Sequence, residues 1–322
     1  MDKNKLLEAI KEFDKKKAIV LGDIALDKYV YGKVERVNPE NPGAPLLKIE
    51  RKEFRLGCAA NVALNISSLK AKASICGIIG RDGNSRVVQK LAKMHELNLF
   101  YLRDGATIVK ERSIESEFNQ YLLRADDGEF SLKDLSEIYQ KRLINFLQKN
   151  KSDVIILSDY NKHLFRNNFA KKVIAFAKEK NIPVVVDPKP VNALSFQYAT
   201  LICPNLKEAK EIARSNSEEP RFLARRLKEV VKSEYVVVTC GKRGMVCYDG
   251  MEFTEIPTKV REVVDVTGAG DTVCSVLGLG LASGLDLVGA AHLANYAAGV
   301  VVEKQGTSTV NQEELIKRIQ ED

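Results

Sequence analysis

Short runs of uninterrupted apolar residues recur along the chain, most followed by a segment whose apolar positions fall three and four apart. KAIVLGD opens the series. ASICGIIG precedes NSRVVQKLAKMH, DVIILSDY precedes NNFAKKVIAFAKEK, and IPVVVDPK, TLICPN before LKEAKEIA, and YVVVTCG continue it. Strands without polar alternation are buried on both faces, and amphipathic helices between them supply the cover. The pattern predicts an α/β fold: a central, mostly parallel sheet flanked by helices. Ligands gather at the carboxyl ends of strands in such sheets. Polar and small residues collect there: Gly22 and Asp23, Ser158 and Asp159, Asp187 to Lys189, Pro204 and Asn205.

Two stretches break the rhythm. Residues 28–50 and 107–126 alternate polar and apolar positions, which predicts strands with one wet face. They read as a small β-lobe inserted into a single domain spanning 1–322, serving as a lid or a dimer contact. Long helical patterns fill the C-terminal part, and Asn311 with Glu314 forms a capping-box pattern ahead of the last helix.

Composition narrows the classes. At 322 residues, 45% apolar and 29% charged, the chain can bury a large core. The net charge of +7 comes from scattered lysines without interleaved aromatic residues, which argues against nucleic acid as a partner and suits an anionic small molecule. The six cysteines form no CxxC pair, and His95, His163 and His292 are isolated, so neither a zinc site nor a disulfide framework is expected. The N-terminus lacks the apolar core of a signal peptide, and the apolar stretch near 273–282 is too short and Gly-rich for a membrane span. A cytoplasmic protein with no membrane partner is expected.

Four stretches carry chemistry. In DVTGAGD, the small residues Gly268, Ala269 and Gly270 at a helix start leave backbone amides open to phosphate. Asp271 beside them reads either as a base for a hydroxyl attacking phosphorus or as a residue stabilising the helix start. Val273 occupies the third Gly position of a dinucleotide fingerprint, and no GxxxxGK[ST] loop is present. In LGCAAN, Gly57 and Cys58 lead into a helix where Asn61 either meets sugar hydroxyls or caps a neighbouring loop. In PNLKE, Asn205 and Glu208 either cap the helix, the simpler reading, or hold Mg²⁺ through water. Gly241 and Gly244 of TCGKRG suit a hairpin turn or a nucleotide contact. Ser158 lacks the GxSxG elbow of hydrolases.

Taken in this order, the stretches resemble the ribokinase/PfkB carbohydrate kinase family over nearly the whole chain. DVTGAGDT matches one family signature, and GCAAN matches the other with Cys58 in place of its second glycine. The resemblance implies a ribokinase-like fold with a β-lid, ATP with Mg²⁺ as donor and an alcohol as acceptor. It implies Asp271 as base, residues 268–270 as anion hole, and Asn205 with Glu208 as the Mg–phosphate motif. Thr239, Gly241, Gly244 and Asn295 would line the nucleotide. Asp265 and Thr267, with carbonyls near Gly306 and Ser308, would hold K⁺.

Within the family, GDIALDKYVYGKVERVNPENPGAP, the Thr107, Lys110 and Arg112 spacing, NQYLLRAD, LSDYNK, VDPK and GTSTV are similar to the branch acting on D-glycero-β-D-manno-heptose 7-phosphate. That branch phosphorylates the anomeric hydroxyl, giving the 1,7-bisphosphate of ADP-heptose synthesis. Gly43 and His163 depart from the branch, where a larger apolar residue and a glycine are usual. Asp23, Asp27, Gly57 and Asn61 are expected at the sugar. Lys110, Arg112, Arg124 and Lys189 are candidate clamps for its phosphate, with Arg112 and Lys189 preferred. No HxGH motif follows, so no nucleotidyl-transfer domain is expected, and the chain reads as a stand-alone kinase or a kinase fragment. A homodimer is implied by the family. The rivals are another PfkB-type sugar or nucleoside kinase, a non-catalytic binding protein on the same fold, and a dinucleotide-dependent oxidoreductase, which Val273 disfavours.

Overall fold

The computed structural model describes residues 2–129 and 135–322. The body is a nine-stranded sheet made of β1 (Lys17–Gly22), β4 (Lys72–Ile79), β5 (Asn98–Arg103), β8 (Val154–Ser158), β9 (Val184–Asp187), β10 (Leu201–Ile202), β11 (Tyr235–Thr239), β12 (Met245–Tyr248) and β13 (Phe253–Ile256). Their order is β13-β12-β11-β10-β9-β8-β1-β4-β5. Every pairing from β11 through to β5 is parallel; the β11–β12 and β12–β13 pairings are antiparallel. TCGKRG is thus a hairpin turn at the end of β11, one of its two readings.

Two apolar layers hold this sheet. Successive side chains of a strand point to opposite faces. Ala18 and Val20 of β1 accordingly join one core and Ile19 and Leu21 the other. The first layer is covered by α1 (Lys3–Lys11), α2 (Ala59–Ser68), α3 (Gly83–Met94), α8 (Ala269–Ala282), α9 (Leu287–Val302) and α10 (Gln312–Gln320). The second is covered by α4 (Glu137–Lys149), α5 (Phe169–Glu179), α6 (Leu206–Ala213) and α7 (Pro220–Val231). The Asn311–Glu314 capping box forms at the start of α10, each side chain bonded to the other's backbone amide.

A second sheet has the order β3-β2-β6-β7, from β2 (Ile24–Asn38), β3 (Asn41–Cys58), β6 (Ile108–Glu115) and β7 (Gln120–Asp127). These strands contain the stretches with polar alternation. The chain leaves β1 for β2 through Asp23 alone and returns from β3 directly into α2, whose N-cap is Cys58. The smaller sheet is therefore anchored at the carboxyl end of β1, beside the other strand ends where polar residues gather.

Candidate functional site

The start of α8 is shaped by Gly268, a left-handed N-cap with φ of 84°. A Cβ there would lie 3.1 Å from the Asn61 amide nitrogen and 3.3 Å from Thr307, so conformation and space both require glycine. A Cβ on Gly270 would meet nothing within 4 Å, which leaves that side of the turn open. The Ala269 amide donates to the Val266 carbonyl at 3.2 Å. The amides of Gly268, Gly270 and Asp271 have no backbone acceptor among the described residues. Open amides at the positive end of a helix dipole can take an anion. Ala269 contributes small size here rather than its amide.

Asp271 is 5% exposed. Its Oδ2 accepts from the Asn61 side-chain amide at 2.7 Å and its Oδ1 from the Tyr160 hydroxyl at 2.8 Å. Burial pushes its pKa up to about 6, against the pull of these two hydrogen bonds and of Lys110. The group is then ionised at neutral pH yet a better proton acceptor than an exposed carboxylate, as a general base requires. Asn61 Oδ1 is buried without a partner among the described residues. A buried acceptor left unpaired is costly, and a sugar hydroxyl would satisfy it.

On the side of the smaller sheet, Arg112 of β6 donates to Asp27 of β2 at 2.8 Å, the two side chains being 12% and 7% exposed. Gly57 is held to glycine by this carboxylate, since a Cβ would sit 2.8 Å from Asp27 Oδ2. Lys110 donates to the Cys58 sulfur at 2.8 Å, with its ammonium 4.5 Å from the Tyr160 ring centre. Burial pushes the Cys58 thiol up to about 12 despite Lys110, so this is an ammonium–thiol contact. Arg124 makes two 2.8 Å bonds to Asp126. Asp23 turns its Oδ2 to the amides of Tyr160 and Lys162, both at 3.0 Å. Burial and the neighbouring Asp159 push its pKa up to about 7. As placed, Asp23 fastens the loop after β8.

At the ends of β9 to β11, Asn205 and Glu208 form a capping box at the start of α6, with both bonds at 3.0 Å. Glu208 also accepts from Lys189 at 2.5 Å, which ties one preferred phosphate clamp to the acidic residue. Asn205 bridges to Thr239. Gly241, with φ of 56°, would have nothing within 4 Å of a Cβ, whereas at Gly244, with φ of 85°, a Cβ would lie 2.0 Å from the Ile256 carbonyl. Gly241 leaves room and Gly244 packs the hairpin. Asn295 braces the Pro257 carbonyl at 2.7 Å. Asp265 accepts from the Thr267 amide at 2.9 Å and the Gly306 amide at 3.0 Å, drawing the 265–267 turn and the Gly306 loop together. Among the described residues no group of three or more His, Cys, Asp or Glu could hold a metal directly.

Four residues near the site were given no role in the sequence reading. Tyr160 reaches Asp271; its signals were its place at a strand end and within LSDYNK. Asp187, at the end of β9, is pushed well above the usual carboxylate range by burial and by Glu208. Tyr29 and Arg55 of the smaller sheet both reach Thr307, at 3.1 Å each, and so touch the loop that Asp265 gathers.

The chain is 40% identical over 311 residues to bifunctional protein HldE of Coxiella burnetii, the match covering 94% of this chain and 63% of that protein. It therefore spans less than two thirds of the curated relatives it matches. The Escherichia coli phosphofructokinase-2 structure in complex with potassium superposes with a TM-score of 0.78 at 17% identity, covering 95% of this chain and 99% of the other. Ribokinase from Thermotoga maritima gives 0.73 at 21% identity, over 95% and 100%. At these identities the likeness is one of fold, and the fold is ribokinase-like. Residues 15–314 match the pfkB family of carbohydrate kinases, and with the open helix start and its buried carboxylate in place, the chain belongs to that family of sugar kinases.

Proposed function

We propose that this chain transfers the γ-phosphoryl group of ATP to the anomeric hydroxyl of D-glycero-β-D-manno-heptose 7-phosphate, giving the 1,7-bisphosphate. The observation that carries the chemistry is Asp271, buried, ionised near neutrality and set at an open helix N-terminus. It takes the hydroxyl proton as the oxygen attacks phosphorus, while the open amides of the turn offset charge growing on the transferred group. Asn61 Oδ1 accepts a sugar hydroxyl. The Arg112–Asp27 pair offers a cation to the sugar phosphate and a carboxylate to its hydroxyls, with Lys110 beside it. Lys189 joins the Asn205–Glu208 corner on the ATP side. Thr239, Gly241, Gly244 and Asn295 border the nucleotide. Support for the heptose comes from the dispersed residue pattern between 22 and 310 and from the 36–40% identity to HldE proteins.

Mg²⁺, when bound, neutralises phosphate charge. Glu208 and Asn205 would hold its water shell, and Asp265, Thr267 and the carbonyls near Gly306 and Ser308 would surround K⁺. The potassium complex of E. coli phosphofructokinase-2 supports that ion. A homodimer through the smaller sheet is supported by the exposed Phe118 and Leu123, at 77% and 63%, large apolar side chains that a partner would cover. All six cysteines are unpaired, which supports a reducing, cytoplasmic setting.

The test is ATP consumption with Mg²⁺ and K⁺ across the aldoheptose 7-phosphate, sedoheptulose 7-phosphate, fructose 6-phosphate, fructose and ribose. Preference for the aldoheptose phosphate with a 1,7-bisphosphate product is expected. Preference for another sugar would replace the substrate and keep the base. No turnover with any would overturn the assignment.

A further inference from the structure

Resting on the assignment of Asp271 as base, we propose that Tyr160 is a positioning residue for phosphoryl transfer: its hydroxyl holds the Asp271 carboxylate in the orientation that presents a free lone pair to the sugar. A carboxylate has two oxygens with about four acceptor sites. Asn61 on α2 takes one site on Oδ2 at 2.7 Å and Tyr160, in the loop after β8, takes one on Oδ1 at 2.8 Å. Fixed from two separate elements, the group cannot rotate about its last bond, and each oxygen keeps an open site. A base that must meet one hydroxyl gains from being held in this way.

Tyr160 is itself held. Its backbone amide donates to Asp23 at 3.0 Å. The ammonium of Lys110, from the smaller sheet, lies 4.5 Å from its ring centre, and that of Lys189, after β9, lies 5.4 Å away. Cations near an aromatic face are attracted by its quadrupole. One ring thus touches a cation on the sugar side, one on the ATP side, and the base between them. Burial and the charge on Asp271 push the phenol well above its ordinary range, so the tyrosine always donates and the carboxylate always accepts. Donation to the ionised form lowers its proton affinity. The other groups acting on Asp271 are Lys110 from β6, which also lowers it, and Asp27 from β2, which raises it. Cys58 at the end of β3 and Cys274 on α8 are thiols pushed up by burial or by a neighbouring thiol, and Asp187 at the end of β9 is pushed well above the carboxylate range. Both thiols are uncharged at neutral pH.

Tyr160→Phe keeps the ring and both lysine contacts and deletes only the hydroxyl. The expected result is a fall in kcat of roughly 10-fold or more, with KM for ATP and for the sugar phosphate within about twofold. The acidic limb of the pH profile should move up by about one unit. Replacement of Tyr160 by 3,5-difluorotyrosine, a stronger donor of the same shape, should move that limb down. Unchanged kcat and superimposable profiles would overturn the proposal. Titration of the Asp271 carboxyl by ¹³C NMR, assigned with Asp271→Asn, reads the same effect without turnover. A wild-type enzyme that consumes no ATP would defeat the kinase reading. An Asp271 titration unmoved by Tyr160→Phe would defeat this one, whichever sugar is used.

Discussion

In the body sheet, β8 buries all five of its residues, whereas in the smaller sheet β7 leaves seven of eight exposed and only Leu122 half-buried. The contrast extends to charge. The carboxylates at the body's strand ends, Asp23, Asp159 and Asp187, and Asp271 in the first turn of α8, are all pushed upward, chiefly by burial. The two arginines that β6 and β7 contribute already have carboxylate partners, Arg112 with Asp27 and Arg124 with Asp126, while Lys110 meets the Cys58 thiol. Acid–base chemistry needs a desolvated group whose proton affinity is set by a rigid surround. Substrate capture needs charges that can exchange one partner for another. On the proposed reading the two sheets divide the task along that line, with Tyr160 and Lys110 at the seam.

Removing the base should have the largest effect. Asp271→Asn is expected to cut turnover by roughly 10²–10⁴-fold or more while leaving ATP affinity unchanged in a nucleotide-binding titration. An active variant would break the assignment of chemistry to the body. The same variant sharpens the comparison through stability. Because the folded pKa of about 6 is raised above the ordinary carboxylate value, the stabilising contribution is full below about pH 4 and is lost as pH rises through 6. Asp271→Asn should therefore be more stable than wild type at pH 8, by up to about 3 kcal/mol, and the gain should vanish near pH 4 in denaturant melts.

Cutting a charge pair in the smaller sheet comes next. Arg112→Ala strands the buried Asp27 and should destabilise the protein by about 3–5 kcal/mol, with a raised KM for the sugar phosphate and an unchanged KM for ATP. Adding Asp27→Leu should restore stability but not the KM. A KM change for ATP would show that the two sheets do not divide the substrates. The smallest effect is expected at the surface: Leu123→Glu should alter monomer stability by no more than about 0.5 kcal/mol while dissociating the proposed dimer in sedimentation. A dimer that persists would place the interface elsewhere.

Two departures from the family pattern become intelligible in the structure. Cys58 and His163 stand where glycine is usual, and both adopt positive φ, 54° and 78°. At both positions the backbone holds a conformation that favours glycine, and at Cys58 the thiol is the partner of Lys110. Gly43 is different, since its backbone is not in the left-handed region; its small size has no explanation in the contacts around it.

Periodicity and cap chemistry are local, acting over one or two turns of chain. They made the parallel sheet, the flanking helices, the Asn311 and Asn205 caps and the tight turn before α8 legible from residues alone. What the turn's carboxylate does depended on distant partners. Asn61 lies 210 positions from Asp271, Tyr160 lies 111 away, and Arg112 lies 85 from Asp27. A polar side chain carries no mark of which partner it will meet. Asp23 and Asp27 are equally acidic in the sequence, yet one fastens a loop and the other pairs a cation. That choice follows from strand order and from which groups burial strips of water, and both exist only once the sheets have closed over the site.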